Sequence, residues 1–508
     1  MSAQTNGKLR IGLVLDDPKV SRRVFEFVQW AQAHERLKVV QIIVAPPARQ
    51  GGAVANALLD LARAAEQLLL LKNAHYRDDF ELRDVSALAP TAAAGDLDLI
   101  VALSCRDLDA MPEARLGAIC LDCGDEDSSI AGFWDSYLRN DTTAFAVRHR
   151  RGGDVTTLFC GRVGTQFYFL LNRAALLDQS LYYLRTLVGK TALTGALPPA
   201  LDGGLADKPR GFPGAAQMLG YLAKLACRVG VKLWRSALSL DYQWSMAFVR
   251  APWRDAAFER ATVVKNPPGR WLADPFVISR DGKTYCFAED YHLDDHRGRI
   301  SVWELRDGGA VFVGDTLDES FHLSFPYLFE HGGALFMCPE TSANRTIQIY
   351  RCVEFPLRWA LEKVIMRDVT AVDTMLFERD GKWWMFTNID PAGFVAFPEL
   401  SIFSADSPFA EHWTPHPQNP VLVDASRSRN GGLVRDGAGL FRVAQAQGFD
   451  FYGKSTIVNE ITALDERAYA ERTVRAVTPA FRPGVHGTHH LHSDGATTVI
   501  DLARLVRG

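Results

Sequence analysis

A short apolar run, a turn and a second apolar run recur five times in the second half of this chain. The copies run from Asp274-Pro275-Phe276-Val277 to Phe287-Ala288-Glu289, and from Phe325-Pro326-Tyr327 to Cys338-Pro339-Glu340. Next are Val372-Asp373 to Phe386-Thr387-Asn388, Gly431-Gly432-Leu433 to Val443-Ala444-Gln445, and His489-His490-Leu491 to Val499-Ile500-Asp501. The turn glycines Gly282, Gly332, Gly381, Gly437 and Gly495 stand 50, 49, 56 and 58 residues apart. Hairpin-rich sequence with a period near 40–50 residues is the mark of a β-propeller. The spacing therefore predicts an all-β five-bladed β-propeller over residues 242–508, with polar residues of the inner strands converging on one axis.

Residues 1–195 read as an α/β domain. Leu9–Leu15 and Val39–Ala45 are apolar strands, and about Val20–His34 and Ala53–Leu71 are amphipathic helices. Leu97–Ala102 and Leu116–Leu121 are further apolar runs. Strands alternating with helices predict a mostly parallel sheet. Ala144–His149 and Thr156–Val163 predict a hairpin turning at Gly152-Gly153, and Asn172–Val188 a closing helix. Residues 196–241 hold a linker and a helix. The linker belongs to a Gly-, Pro-, Ala- and Asp-rich stretch, Thr191 to Gly214, that has no periodicity. The helix is expected over 215–238, with Lys224, Arg228, Lys232 and Arg235 on one face and Leu222, Leu225, Val229, Leu233 and Trp234 on the other. Two readings fit it. The basic stripe touches an anionic membrane surface, or the apolar face packs between the domains and the lysines are solvated.

Composition narrows the function classes. With 508 residues, 47% hydrophobic, 23% charged and a net charge of −4, the chain is of the ordinary globular class. It carries no basic tail, so nucleic acid is not an expected partner. Met1 to Lys8 is short and polar, and no run of 18 apolar residues exists. A cytoplasmic chain, at most peripheral to a membrane, is expected. The eight cysteines are scattered. The Cys120-x-x-Cys123 pair has no second pair beside it, so no metal site and no cofactor is expected.

Asp274, Glu289, Glu340 and Asp373 occupy equivalent ends of their hairpins, and strand alternation can turn such positions toward the axis. Glycoside chemistry needs two carboxyl groups, one as acid and one as base or nucleophile. The alternative is that these carboxylates cap turns or pair with Arg270, Arg345 and Arg429. Trp271, Tyr291, Tyr327, Trp384 and Tyr452 lie near the same hairpins. Arg270, Glu289, Tyr327, Asn388, Arg429 and Gln445 are the expected groups for orienting a substrate. In the cluster His486, His489, His490 and His492, alternation puts His490 and His492 on one face and His489 on the other.

Two resemblances add to this reading. Asp98-Leu99-Ile100-Val101, Leu116-Gly117-Ala118-Ile119, Ala131-Gly132-Phe133-Trp134 and the hairpin after Asn140 resemble the formyltransferase N-terminal domain. Active members carry Asn-x-His after the Gly-x-Ile strand. Here Cys120-Leu121-Asp122-Cys123-Gly124 takes that place, which implies a degenerate relative, with formyl transfer only a minor alternative. Trp271-Leu272-Ala273-Asp274-Pro275-Phe276, Ser324-Phe325-Pro326-Tyr327, Cys338-Pro339-Glu340, Val372-Asp373-Thr374-Met375-Leu376-Phe377 and Pro483-Gly484-Val485-His486 resemble the N-terminal region of plant glucosamine inositolphosphorylceramide transferases. There a separate glycosyltransferase domain follows, and this chain is expected to lack it.

More distantly the propeller resembles five-bladed glycoside hydrolases of the family 43 type. That resemblance implies Asp274 as base and Asp373 as its supporting acid residue. The blade-four acid is replaced by Arg429-Asn430-Gly431-Gly432, which leaves Glu340 as the substitute acid, its pKa raised by an apolar setting. It also implies one axial histidine, His486 or His490. The expected function is glycosyl transfer or glycan processing on a sugar or glycan, nucleotide- or lipid-linked. The rival is a non-catalytic glycan-binding or scaffold protein.

Overall fold

A computed structural model describes residues 7–45, 51–72, 82–88, 96–103, 111–125, 128–201, 210–389, 399–437 and 439–507. The chain divides into two compact units, Met1–Val231 and Lys232–Gly508.

The first unit is α/β. Its six-stranded sheet runs Leu37–Val44, Leu9–Leu15, Leu99–Ala102, Ala118–Asp122, Thr142–Arg151, Asp154–Gly164. The first four strands are parallel and the last two antiparallel. Ile11, Leu13, Leu99, Val101, Ile119 and Leu121 are buried, the near-continuous apolar character of strands covered on both faces. Helices Arg22–Ala33 and Phe169–Thr194 pack on this sheet through Phe27, Val28, Leu181, Leu184 and Val188.

The second of these helices starts three residues earlier than the sequence suggests. Glu66 supplies the missing cap, accepting the N–H groups of Phe169 at 3.0 Å and Leu170 at 2.8 Å. The Tyr221 hydroxyl also donates to Glu66. Burial raises the carboxyl to about 6.

Tyr221 belongs to the helix Ala215–Ala237. Met218 and Tyr221 bury against Leu59, Phe133 and Phe169 of the same unit. The basic residues of this helix are not a uniformly solvated stripe. Lys224 Nζ donates to the Tyr137 carbonyl at 2.6 Å and lies 3.9 Å from its ring centre. Arg228 and Arg235 lie over the rings of Phe167 and Tyr242. Leu233 and Trp234 are 66% and 58% exposed. Among the described residues no helix is long and apolar enough to cross a membrane. The linker residues 202–209 lie outside the described residues.

The second unit is a five-bladed β-propeller. Blade one is Arg270–Arg280, Lys283–His292, Arg297–Arg306 and Gly309–Leu317; blade two is Ser324–His331, Ala334–Glu340, Thr346–Glu354 and Arg358–Arg367. Blade three is built on Ala371–Arg379, Lys382–Ile389 and Glu399–Ala405, and blade four on Arg429–Asp436, Gly439–Gly448, Phe451–Leu464 and Tyr469–Val477. The first strand of each blade neighbours that of the next, and Leu491–Ser493 returns to Arg270–Arg280 to complete the ring.

Blade five is assembled from both ends of the unit. Thr498–Arg507 pairs with Leu491–Ser493 on one side and, over ten residues, with Leu240–Val249 on the other. The closing strand is therefore the segment just before the repeats. Apolar side chains fill the seams, as with Met246, Val277 and Val499 between blades five and one, and Phe287, Ile300 and Met337 between blades one and two.

Candidate active site in the propeller

The inner strands bend where the chemistry sits. In blades one, two and three the register skips from Ala273 to Phe276, Ser324 to Tyr327, and Val372 to Met375. The first residue of each bulge, Asp274, Phe325 or Asp373, has φ of 48°, 46° or 51°. Such left-handed non-glycine residues cost on the order of 1–3 kcal/mol each and cluster at functional sites. Asp accepts the conformation better than most residues. Blade four cannot repeat it. A Cβ on Gly431 or Gly432 would lie 2.4 Å from the carbonyl oxygen of His489 or Leu491. The close approach of blade five thus explains the Asn-Gly-Gly opening.

Just before the bulge in blades one to three the inner strand pairs with a polar residue of the second strand, Ala273 with Glu289, Ser324 with Glu340 and Val372 with Asn388. In blade four Arg429 pairs with Gln445 one pair earlier. Asp501, one residue past the Leu491–Ile500 pair, completes the series in blade five. Five equivalent positions thus carry Glu, Glu, Asn, Gln and Asp.

Two cations answer this acidic ring, and each reaches the bulge Asp of a neighbouring blade. Arg429 Nε donates to Asp373 Oδ2 at 2.6 Å, and Gln445 Nε2 donates to the same oxygen at 3.1 Å. His489 stands with Nε2 3.1 Å from Asp274 Oδ1 and Nδ1 2.9 Å from Asp501 Oδ2. Burial alone would lower His489, but Asp501 and Asp274 outweigh it and raise it to about 10, so the ring keeps its proton.

Of the two glutamates, Glu289 has only His322, at 3.4 Å, as a basic partner among the described residues. Burial raises Glu289, and repulsion from Asp274 and Glu340 adds to the shift. Burial also raises Glu340 against the opposing pull of Arg429 and of Ser342, whose hydroxyl donates to Oε1 at 2.6 Å. Asp373 rises to about 7, driven by burial, opposed by Arg429 and reinforced by Glu340 and Asp274. These mutual repulsions put Asp274, Glu289, Glu340 and Asp373 in one electrostatic site. Phe276 and Phe325, ring centres 5.0 Å apart and both fully buried, form the apolar floor beneath it.

The other expected residues divide. Tyr452, 40% exposed, lies 4.9 Å from Arg429, and its ring is 5.2 Å from His489. Trp244 lies 4.1 Å from the same histidine. Asn388, fully buried, donates to the Glu399 and Ser428 carbonyls and accepts from the Asn430 amide, a fastening between blades three and four. Arg270 is engaged elsewhere, 3.1 Å from Asp290. His486 is exposed beside Tyr242. His490 packs between Phe276 and Phe325, 3.7 Å from Asp274. Burial pushes it down to about 3. Tyr327 lines a different cavity.

His489, Asp501 and His322 were not among the expected site residues. His322 Nδ1 accepts the Gly298 amide at 2.9 Å, and its Nε2 stands 3.4 Å from Glu289 Oε1. At 34% exposure it connects that carboxyl to solvent. Nothing in the repeat pattern marks His322. Asp501 could have been found as the fifth member of the second-strand series.

Asp274, His489 and Asp501 each offer an atom within 4.8 Å of the others, close enough to hold a cation. The protonated imidazole already bridges the two carboxylates and fills that role.

The proton balance fixes the sign of a pH effect. His489 is raised, so its stabilisation is full below about 6.5 and is lost as pH rises through about 10. Burial raises Glu289, Glu340 and Asp373 above their unfolded values, so their contribution also falls as pH rises, through about 7 for Asp373. The propeller Tm should fall by about 5–10 °C between pH 5 and pH 10. His489→Gln should flatten the upper part of that curve. A Tm that rises or stays level would contradict the proton placement.

The family model described as "Glucosamine inositolphosphorylceramide transferase 1, N-terminal" matches residues 256–489. Glucosamine inositolphosphorylceramide transferase 1 of Arabidopsis thaliana is 36% identical over 226 residues, covering 43% of this chain and 29% of the relative. Its namesake in Oryza sativa subsp. japonica is 34% identical over 258 residues, 47% of this chain and 34% of the relative. The chain thus spans about a third of the length of the curated relatives it matches. Among solved structures, the catalytic domain of the Coprinopsis cinerea GH62 α-L-arabinofuranosidase aligns with a TM-score of 0.36 and 12% identity, over 52% of this chain and 97% of that one. An exo-1,5-α-L-arabinanase from a bovine ruminal metagenomic library aligns with a TM-score of 0.32 and 14% identity, over 48% and 99%.

Proposed function

We propose that the propeller binds a glycosyl group and moves it by carboxylate acid–base chemistry, in glycosyl transfer or glycan processing during glycolipid or polysaccharide assembly. One observation carries this reading. Each bulge aspartate has a cation beside it, whereas burial raises the two glutamates above the ordinary carboxylate range. Paired titratable groups whose surroundings push them apart are how a site obtains an acid and a base at one pH. Glu340, half-buried and the most accessible of the four, donates its proton to the oxygen leaving the anomeric carbon. Asp274 takes the proton of the incoming hydroxyl as the new C–O bond forms. Glu289 with His322 returns protons from solvent. Tyr452 and Trp244 offer flat faces for a sugar ring.

The names of the matched relatives support a sugar donor and an inositol-phospholipid-type acceptor as substrate class. The α/β unit, in this reading, is a formyltransferase-like domain without formyl transfer. Asp122, at the end of the strand where the base would stand, is tied to Arg148 and accepts the Gly124 amide at 2.9 Å.

A second reading, glycan binding without turnover, is favoured by the burial of Asp274 and Asp373, at 5% and 2% exposure. One experiment separates the two. The full chain is incubated with a panel of nucleotide sugars and inositol-phospholipid or oligosaccharide acceptors, with products read by mass spectrometry and binding by calorimetry. Turnover supports the first reading, and saturable binding alone supports the second. Neither would overturn both.

A further inference from the structure

Four residues beyond the bulge positions, the same inner strands surround a second cavity. Ile278, Phe329, Phe377 and Arg435 line it, and they follow Asp274, Phe325, Asp373 and Gly431 by four residues each. At the rise of an extended strand that is about 13 Å further along the chain direction. Phe276, two residues past Asp274, lies between the bulge level and this one. We propose that this cavity is a second ligand site, taking a neutral small molecule with an apolar ring or chain and a hydrogen-bond-accepting oxygen at its buried end.

The volume, about 430 Å³, falls within the range of small-molecule sites. Val277, Leu376, Phe377 and Trp383 give it walls that are each under 5% exposed, which suits an apolar body. The polar groups set the rest of the specificity. Tyr327 is 4% exposed, and among the described residues its hydroxyl makes no hydrogen bond. That hydroxyl can donate to a ligand oxygen entering the cavity. His492 Nδ1 accepts the Val277 amide at 3.2 Å, so its proton sits on Nε2 and that edge can only donate. Burial keeps the ring neutral, lowering it to about 4.

The rim carries Glu330 and Glu378 against Arg435, whose Nη2 donates to the Glu378 carbonyl at 2.8 Å. Two negative groups against one positive disfavour an anion. Tyr327, expected at the carboxylates, serves here instead.

The test needs no sugar and no turnover, so its failure is distinguishable from failure of the catalytic reading. The probe is prodan, a neutral naphthalene with a ketone oxygen, titrated into the full chain and followed by its emission shift. Saturable binding is expected. Tyr327→Phe should weaken it about fivefold, the effect of one lost neutral hydrogen bond. Leu328→Trp, a half-buried wall position, should weaken it at least tenfold while circular dichroism and Tm are kept. Anionic anilinonaphthalene sulfonate should bind at least tenfold more weakly than prodan. Absence of saturable prodan binding would overturn the proposal, as would unchanged affinity in both variants or equal binding of the sulfonate. If Leu328→Trp does not fold, Tyr327→Phe alone decides.

Discussion

Asp274→Asn should lower sugar turnover by about 10²–10⁴, the usual contribution of a positioned acid–base group, while the Tm moves by no more than a few degrees. The two halves of this expectation have separate causes. Asn accepts the left-handed conformation held at residue 274, φ 48°, and its amide oxygen still faces the imidazole of His489. What disappears is a basic carboxylate. Glu340→Gln should produce a loss of similar size, since it removes the proton donor but keeps a group that Ser342 can reach. Asp274 also raises Glu289, so the Asn variant should move the alkaline limb of any residual activity to lower pH. Undiminished turnover in Asp274→Asn would move the chemistry out of the funnel.

The largest stability effect should come from Arg442→Met. Arg442 is the largest fully buried side chain among the described residues. Its Nε and Nη2 donate to Glu471 at 2.8 and 2.7 Å. Its remaining donors reach the Arg427 carbonyl at 2.6 Å, the Ser428 carbonyl at 3.2 Å and Asn430 Oδ1 at 3.3 Å. It therefore holds the strand start from which Arg429 reaches Asp373. Removing one partner of a buried pair strands the other charge and costs about 3–5 kcal/mol, which lowers Tm by about 10 °C in a unit of this size. Adding Glu471→Leu should recover part of the loss, the remainder reflecting the Tyr469 hydroxyl, which donates to Glu471 at 2.6 Å. A single variant within 1 kcal/mol of the parent would show that this network is dispensable.

Much of the propeller was legible because a turn glycine must recur wherever a blade's first hairpin recurs, and the polar ends of the hairpins recur with it. The sequence groups Glu289 and Glu340 with the bulge residues Asp274 and Asp373, and names Asn388 and Gln445 separately, although all four second-strand residues hold equivalent positions. The fifth, Asp501, lies inside the strand Thr498–Arg507, and the resemblance points for the site histidine to His486 or His490 rather than to His489. The reason is local. Alternation separates His489 from His490 and His492, but it does not say which of the two faces meets the carboxylates. His489 meets Asp274 and Asp501, whereas His490 and His492 turn toward Phe276 of the aromatic floor. The closure of blade five was not legible: nothing local says that the partner of Leu240–Val249 is Thr498–Arg507. The cap at Glu66 was invisible for the same reason, because it joins residues 103 positions apart.

That closure has a consequence for synthesis. Val249 pairs with Thr498 and Leu240 with Arg507, so one edge of an early-made strand waits for the last strand of the unit. At about 5–20 residues per second that wait lasts roughly 10–50 s. During that interval Met246 and Phe248, which end up under 4% exposed, have no ring to enter. An open sheet edge next to unburied apolar side chains is where a nascent chain associates with the wrong partner. Ribosome-bound chains of this protein should therefore need chaperone protection until the final strand is released.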